Sequence, residues 1–161
     1  MIFPTNFLWG ASTSAFQVEG GYNEGGKGVA TTDLGARRPG IADNKVAADH
    51  YHHWKEDVDL MAELGLKVYR MGFSWSRIMP DASGQSNPEG LAFYDKLIDY
   101  LLEKGIEPLV TLYHFECPQA LVDAFGGWLD RQMIDAYLRY ARCASPTSKA
   151  GSSGGSPSMN S

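Results

Sequence analysis

Polar side chains that could bind a ligand occur at three places in this 161-residue chain. The first is near the amino terminus, where Gln17 and Glu19 follow a run of small residues at 10–14. Small residues let a backbone and a ligand approach closely, and an amide beside a carboxylate can make paired hydrogen bonds. This combination suits a ligand that carries many hydroxyl groups.

The other two places that could bind a ligand are at Arg70 and His114. Arg70 lies within a strand-like stretch, and a guanidinium on a largely buried strand needs a carboxylate partner. A purely structural ion pair and a functional role both remain open for it. His114 directly follows the next strand-like stretch, where it can either cap a loop or carry function.

The segments that must position these residues alternate between strand and helix patterns. Strands are predicted at residues 7–11, 67–73 and 107–113, and a glycine-rich surface loop at 20–43. Helices are predicted from residue 47 to the stop at Gly65, from the cap Asn87-Pro88-Glu89 to the stop at Gly105, from Pro118, and over 131–142.

Helical spacing also predicts which side chains face the core. The predicted apolar residues of the first and last long helices are Ala47, Tyr51, Trp54, Val58, Met61 and Leu64, and Met133, Ile134, Tyr137 and Ala141. Strands alternating with amphipathic helices predict a parallel sheet with right-handed crossovers.

Four segments resemble motifs of family 1 glycoside hydrolases, the retaining β-glycosidases. They are residues 7–20 (FLWGASTSAFQVEG), 48–57 (ADHYHHWKED), 69–80 (YRMGFSWSRIMP) and 111–118 (TLYHFECP). The resemblance covers residues 3–143 and implies a β-glucosidase or 6-phospho-β-glucosidase type of chain. It implies an α/β fold: about three βα units forming the amino-terminal portion of a (β/α)8 TIM barrel, which needs eight.

The resemblance also assigns roles to single residues. It implies that Gln17 and His114 bind glycone hydroxyls, and that Arg70 hydrogen-bonds the nucleophilic glutamate and keeps it ionised. Many members have tryptophan and aspartate after the histidine, where this chain has Phe115 and Glu116. With Gly-Gly-Trp at 126–128, that difference resembles the branch that acts on 6-phospho-β-glucosides.

The sequence predicts no catalytic carboxylate within this chain. Retaining hydrolysis needs two carboxyl groups about 5–5.5 Å apart, which makes Glu19 and Glu116 tempting candidates. In the family, however, the acid/base follows the fourth strand in an Asn-Glu-Pro motif, and the nucleophile follows the seventh. Neither motif occurs here, since the Asn-Glu step at 23–24 continues into glycines.

Three functional hypotheses follow. The first is a β-glycosidase-derived chain that is inactive alone. The second is a non-catalytic module that binds sugar or complements a missing half-barrel, and the third is a non-functional fragment from truncation or a frameshift. An incomplete barrel should leave a sheet edge open and Val110 and Leu112, which are expected to face the barrel interior, partly uncovered, with poor solubility or partial unfolding.

No metal or cofactor is expected. Asp49, His50 and His53 have a spacing that could suggest a metal site, but the resemblance implies packing and loop contacts for them. Cys117 and Cys143 are too few for a disulfide framework, so a reduced cytoplasmic setting is expected.

Composition limits the remaining possibilities. A net charge of −5 gives no case for nucleic acid, and no apolar run reaches membrane-spanning length. The expected partner is a β-glucoside or its 6-phosphate, and the oligomeric state stays open. Residues 1–144 are expected to form the partial barrel domain and the Ser/Gly-rich residues 145–161 a disordered tail.

Overall fold

A computed structural model of the chain describes residues 3–34, 40 and 42–149. Its strands are β1 (Gly10–Ser12), β2 (Val68–Gly72) and β3 (Glu107–Thr111). Its α-helices are α1 (Ala15–Val18), α2 (His50–Glu63), α3 (Trp75–Ile78), α4 (Pro88–Glu103), α5 (Gln119–Phe125) and α6 (Gln132–Lys149). Short 3₁₀ turns occupy Thr31–Asp33 and Gly127–Leu129.

The three strands form one parallel sheet in the order β1-β2-β3, as the alternation of strands and helices predicts. The register pairs Ser12 with Arg70 and Arg70 with Leu109. β2 is therefore central, and β1 and β3 are the two edges of the described sheet. Parallel strands need crossover connections, which α2 and α4 supply.

The two faces of the sheet have different surroundings. Tyr69 and Met71 are buried beneath the helices, whereas Arg70 and Leu109 point to the opposite face, where Leu109 is 57% exposed. Val110 pairs with Met71 in the sheet, and both Val110 and Leu112 pack against the core. The prediction that Val110 and Leu112 face the barrel interior is therefore wrong, because the period of two places Leu109 there instead.

The core lies between the sheet and the long helices. It consists of fully or almost fully buried apolar side chains from β2, α2, α3, α4, α6 and the segments between them. Its largest members are Trp75, Tyr69, Tyr94, Tyr140, Ile78, Leu97, Ile98, Leu101, Ile106, Met133 and Val58.

The first strand is shorter and later than residues 7–11. Phe7 and Trp9 are exposed and pack with Phe3 in an aromatic cluster with ring centroids 4.6–4.8 Å apart. The Trp9 carbonyl accepts a hydrogen bond from the Lys67 amide at 2.8 Å, just before the ladder begins. The register with β2, rather than the apolar run, thus sets where β1 starts.

Helix α2 begins at His50 instead of Ala47. Ala47 and Asp49 have left-handed φ values of 53° and 56°, which end any helical path before residue 50. The first helical turn is held by the Tyr51 amide, which donates to the Glu19 carbonyl at 2.8 Å. Val58 is fully buried as predicted, but Ala47 is exposed and Leu64, past the last turn, is 78% exposed.

Helix α4 agrees with its sequence signals at both ends. The Asn87 side chain accepts a hydrogen bond from the Glu89 amide at 3.2 Å, and Pro88 occupies the first turn. Gly105 follows the helix with φ 72°, a conformation that glycine adopts without strain. Local sequence therefore determines this helix.

Helix α6 differs from its prediction in face and length. Over residues 132–145 its buried side chains are Met133, Ala136, Tyr140 and Ala144, whereas Ile134 is exposed. The helix continues to Lys149, so residues 145–149 of the expected tail are helical, with Ser145 Oγ donating to the Ala141 carbonyl at 2.8 Å. Residues 150–161 lie outside the described residues, and the domain boundary at 144 stays a prediction.

Candidate functional site

Arg70 lies near the carboxyl end of the sheet on its open face. Its Nε donates to the Thr111 Oγ1 of the neighbouring strand at 2.6 Å. Thr111 is the last residue of β3, so the guanidinium is held at the end where parallel-sheet enzymes place their working groups. Over the described ranges, no carboxylate forms an ion pair with Arg70.

His114 follows β3 on a loop with an unusual backbone. The next residue, Phe115, has φ 65° and a side chain that is 74% exposed. The His114 ring meets the Phe16 ring edge-on, with centroids 6.3 Å apart. Its Nδ1 atom is buried and has no hydrogen-bond partner in the described part of the chain.

Gln17 lies on α1, directly after the Phe16 that contacts His114. The side chain is exposed, and its Oε1 accepts a hydrogen bond from Ser14 Oγ at 2.5 Å. The structure thus brings the Gln17 segment and the His114 loop together through one ring contact. Arg70 joins the same end of the sheet through Thr111, three residues before His114.

Glu19 belongs to a buried ion pair. Its Oε2 accepts from Arg77 Nε at 3.0 Å, and its Oε1 accepts from the Tyr94 hydroxyl at 2.5 Å. Burial opposes the charge on Arg77, yet Glu19 holds the pKa of Arg77 above its ordinary value. Burial, followed by the charge on Glu19, raises the pKa of Tyr94 well above its ordinary value.

Arg77 was not singled out from the sequence, although it organises this region. Its guanidinium is fully buried, donates to the carbonyls of Gly20 and Gly21 at 3.2 and 3.3 Å, and lies 4.1 Å from the Tyr51 ring centroid. The available signal was an arginine that closely follows the predicted strand 67–73. Its buried position, however, depends on Glu19, which lies 58 residues away in sequence.

Glu116 is 3% exposed and ties two loops together. Its Oε1 accepts hydrogen bonds from the Ser76 hydroxyl at 2.7 Å and from the Ser74 hydroxyl. Burial raises the pKa of Glu116; the positive charge of Lys27 opposes this shift and the negative charge of Glu19 adds to it. Its Oε2 has no hydrogen-bond partner among the described residues.

Glu19 and Glu116 line the same cavity, whose volume is about 10 Å³. That is room for about one water molecule, whereas ligand pockets measure hundreds of cubic ångströms. Lys27, which donates to Asp33 at 2.8 Å, lines it as well. The contacts of the two glutamates are those of buried structural groups and leave no space for a sugar between them.

The histidines near the start of α2 form ion pairs with nearby acids. His50 Nδ1 lies 2.6 Å from Asp57 Oδ2, and His52 lies 2.6 Å from Asp49 and 3.0 Å from Glu24. Hydrogen bonds to Asp49 and then Glu24 raise the pKa of His52. Within the described ranges, no three potential ligands converge as a metal site would require.

No helix in the described part of the chain combines the length and apolarity needed to cross a membrane.

Comparison with known proteins gives consistent matches. The model of the family described as "Glycosyl hydrolase family 1" matches residues 1–147. "Beta-glucosidase 25" of Oryza sativa subsp. japonica is 49% identical over 143 residues, which are 86% of this chain and 28% of that protein. "Aryl-phospho-beta-D-glucosidase BglC" of Bacillus subtilis is 49% identical over 142 residues, 86% of this chain and 30% of that protein.

Solved structures agree with the fold. A crystal structure of a rice β-glucosidase superposes with a TM-score of 0.85 and 44% identity, covering 90% of this chain and 31% of that one. The family 1 β-glucosidase from Thermotoga maritima gives a TM-score of 0.84 and 41% identity, with coverages of 90% and 33%. The chain therefore spans about a third of the length of the relatives it matches, and its fold is that of the corresponding part of a (β/α)8 barrel.

Proposed function

The chain belongs to glycosyl hydrolase family 1, and on that premise we propose that it contributes the glycone-binding wall of a β-glucosidase site. In this proposal Gln17 and His114 bind sugar hydroxyls, and Arg70 hydrogen-bonds a nucleophilic carboxylate that is absent from the described residues. The observation that carries it is the Phe16–His114 contact, which joins the Gln17 segment to the His114 loop.

The chemistry of these side chains suits the roles. An amide and an imidazole can each donate and accept, so they can bind adjacent hydroxyls in paired hydrogen bonds. A guanidinium within about 4–6 Å of a carboxylate favours the ionised, nucleophilic form of that carboxylate. Arg70 is held by Thr111 alone among the described side chains, and the hydrogen-bonding capacity left over suits such a carboxylate.

We further propose that this chain alone does not hydrolyse glycosides. Retention requires an acid/base and a nucleophile on opposite sides of the scissile bond. Glu19 is committed to Arg77 and Tyr94, and Glu116 to Ser74 and Ser76, in a space too small for a sugar. Neither is placed to serve as one of this pair.

For the substrate class we propose 6-phospho-β-glucosides. The support is Phe115 and Glu116 after the histidine, and a Bacillus subtilis relative whose name is that of an aryl-phospho-β-glucosidase. Plant β-glucosidases match equally well, so the overall identities do not separate the two substrate classes. The proposal therefore rests on the local motif.

A chromogenic aryl β-glucoside and its 6-phosphate, added separately to the purified 161-residue chain, test these proposals together. We expect no turnover of either compound and measurable binding of the glucoside. Stronger binding of the 6-phosphate would support the proposed substrate class. Gln17→Ala should weaken binding about tenfold, as expected for the loss of hydrogen bonds worth about 1.4 kcal/mol.

The matched control is Gln85→Ala, which removes an exposed amide from the turn before α4 and should leave binding unchanged. Robust turnover would contradict the absence of catalytic carboxylates. Equal binding by the Gln17→Ala and unsubstituted chains would contradict the glycone-binding role.

A second candidate function is complementation of a missing half-barrel. The observation that favours it is the described sheet, whose edge strands β1 and β3 each lack an outer neighbour in the described chain. Exposed strand edges are templates for further pairing. Co-expression with the remaining two thirds of a family 1 relative should restore glucosidase activity, and soluble, separate, inactive chains would count against this function.

We propose a cytoplasmic location, which the free thiols of the two cysteines, Cys117 and Cys143, support. Fractionation of cells that express the full chain tests this. Recovery in a secreted fraction would contradict it.

A further inference from the structure

The loop after β3 presents His114 without a hydrogen bond from the imidazole ring to another described residue. Its Nδ1 is buried and unpartnered in the described chain, and its contacts are ring contacts with Phe16 and Phe115. A hydrogen bond at one ring nitrogen normally fixes the tautomer of an imidazole, and His114 has no such bond among the described residues. The orientation of its ring therefore depends on the ring contacts and on the backbone that carries it.

That backbone is strained between His114 and Glu116. Phe115 has φ 65°, a left-handed conformation that is unfavourable for a residue other than glycine. Its own side chain is largely exposed and so contributes few contacts that could hold the conformation. Strain of this kind persists only where neighbouring groups determine the path of the chain.

Glu116, the residue after Phe115, is held by side-chain hydrogen bonds. It is almost fully buried, and its Oε1 accepts from Ser76 at 2.7 Å and also from Ser74. The two serines lie at the start of α3, where Ser74 also caps the helix by accepting from the Arg77 amide at 3.2 Å. Hydrogen bonds of the Glu116 side chain thus connect the loop after β3 to the loop after β2.

Backbone bonds hold the loop beyond Glu116. The Thr31 amide donates to the Cys117 carbonyl at 2.8 Å, and the Gln119 amide donates to the Val29 carbonyl at 2.8 Å. The loop is therefore anchored on its carboxyl side from residue 116 onward, and on its amino side by β3. The left-handed turn at Phe115 is where these two anchored paths join.

We propose that Glu116 is a positioning residue for His114: its bonds to Ser74 and Ser76 hold the left-handed turn that presents the imidazole beside Phe16. The proposal deepens the proposed function, because it assigns the control of His114 orientation to a buried acid that does not touch the sugar. It requires an acceptor oxygen at position 116 but no negative charge. Glutamine should therefore replace glutamate, and alanine should not.

The test is nuclear magnetic resonance of the histidine rings in the full chain. Glu116→Ala should shift the ring nitrogen signals of His114 and abolish the nuclear Overhauser contact between the His114 and Phe16 rings. Glu116→Gln should retain both features. The ring of His50, which is held by Asp57 at 2.6 Å, is the internal reference and should not change.

Glu107→Ala is the matched control, because it removes an exposed acid from β3, the strand before the loop, and should leave His114 unchanged. Unchanged His114 signals in a folded Glu116→Ala chain would overturn the proposal. So would an effect of Glu116→Gln as large as that of Glu116→Ala, or the absence of a resolved His114 ring signal in the unsubstituted chain.

If Glu116→Ala also disturbs His50, the variant has unfolded, and Ser76→Ala replaces it under the same criterion. Ser76→Ala should move His114 alone, and no effect on His114 would overturn the proposal. Titration of the unsubstituted chain with a methyl β-glucoside separates this inference from the proposed function. Absence of a response at His114 would refute sugar binding at this residue. The role of Glu116 would still be decided by the His114 ring signals of the Glu116 variants.

Discussion

The guanidinium of Arg77 is the charge on which the interior of this chain depends most. It is fully buried and is compensated by the Glu19 carboxylate and by backbone carbonyls of the loop after α1. A buried charge is tolerated only when it is paired and hydrogen-bonded, and removal of one partner leaves the other buried without a counter-charge. The ion pair therefore holds the loop after α1 against α3, and the hydrogen bond from Tyr94 to Glu19 connects α4 to the same group.

Arg77→Met should lower the free energy of unfolding by about 3–5 kcal/mol, since it leaves the Glu19 carboxylate buried without its cation. Urea denaturation measures the change. Arg142→Met, at an exposed position of α6, is the control and should stay within about 0.5 kcal/mol of the parent. A loss below about 1 kcal/mol in Arg77→Met would argue against this role.

Glu116→Gln should become more stable relative to the parent as pH rises. Burial raises the folded-state pKa of Glu116 above its unfolded value. At pH values between these two pKa values, the folded state therefore binds more protons than the unfolded state. The parent therefore loses stability as pH rises from the unfolded pKa through the folded one, and glutamine has no such loss.

The measurement is the difference in unfolding free energy between Glu116→Gln and the parent, by urea at about pH 4 and about pH 7. Glu63→Gln, an exposed acid at the end of α2, is the control and should show a much smaller pH dependence. A difference that is constant with pH, or that falls, would contradict the burial effect.

At the level of secondary-structure elements, α4 shows how a contact can reverse an intrinsic preference. Gly90 lies in its first turns, and a Cβ there would lie 2.1 Å from the Arg77 carbonyl oxygen. Gly90 is therefore needed so that α4 can pack closely on α3. Helix propensity alone would favour alanine at this position.

Gly90→Ala should destabilise the chain by about 1–3 kcal/mol, the range for overpacking, instead of stabilising it by about 0.5–1 kcal/mol as propensity predicts. Thermal or urea unfolding measures the sign. The matched variant Ala92→Gly, at an exposed position two residues on, should cost about 1 kcal/mol from propensity alone. A stabilised Gly90→Ala chain would show that α3 and α4 do not pack this closely.

The helices also show how far local sequence determines structure. The ends of α4 follow from Asn87, Pro88 and Gly105, because capping and glycine preferences are local. The start of α2 does not follow, because the Glu19 carbonyl that receives the Tyr51 amide is distant in sequence. The faces of α2 and α6 were only partly predicted, since neighbours in space select which side of a long apolar stripe is covered.

For the molecule as a whole, one face of the described sheet is left open by the helices. Leu109 on this face is largely exposed, and the aromatic cluster of Phe3, Phe7 and Trp9 lies beyond the opposite edge. Large exposed apolar patches and unpaired edges favour association. The family barrel would cover such a face with its remaining strands, and this chain spans about a third of its relatives.

Leu109→Thr should increase the soluble, monomeric fraction of the full chain, because it replaces an exposed apolar side chain on the open face with a polar one and introduces a β-branched residue that suits a strand. Size-exclusion chromatography with light scattering over a range of concentrations measures this. Leu64→Thr removes an exposed leucine at the end of α2 and should have little effect. A parent chain that is monomeric throughout, with a sharp cooperative melt, would refute the premise.

The sequence by itself determined the family, the parallel α/β fold, the approximate positions of β2 and β3, the ends of α4 and the positions of the motif residues Gln17, Arg70 and His114. These features follow from local periodicity, capping residues and motifs, which can be read from one sequence alone. Only the tertiary structure decided which face of the sheet is open, that Glu19 pairs with Arg77, and that Glu116 joins two loops. Those outcomes depend on groups 40 to 58 residues apart in sequence, whose burial and pairing are fixed when the elements pack together.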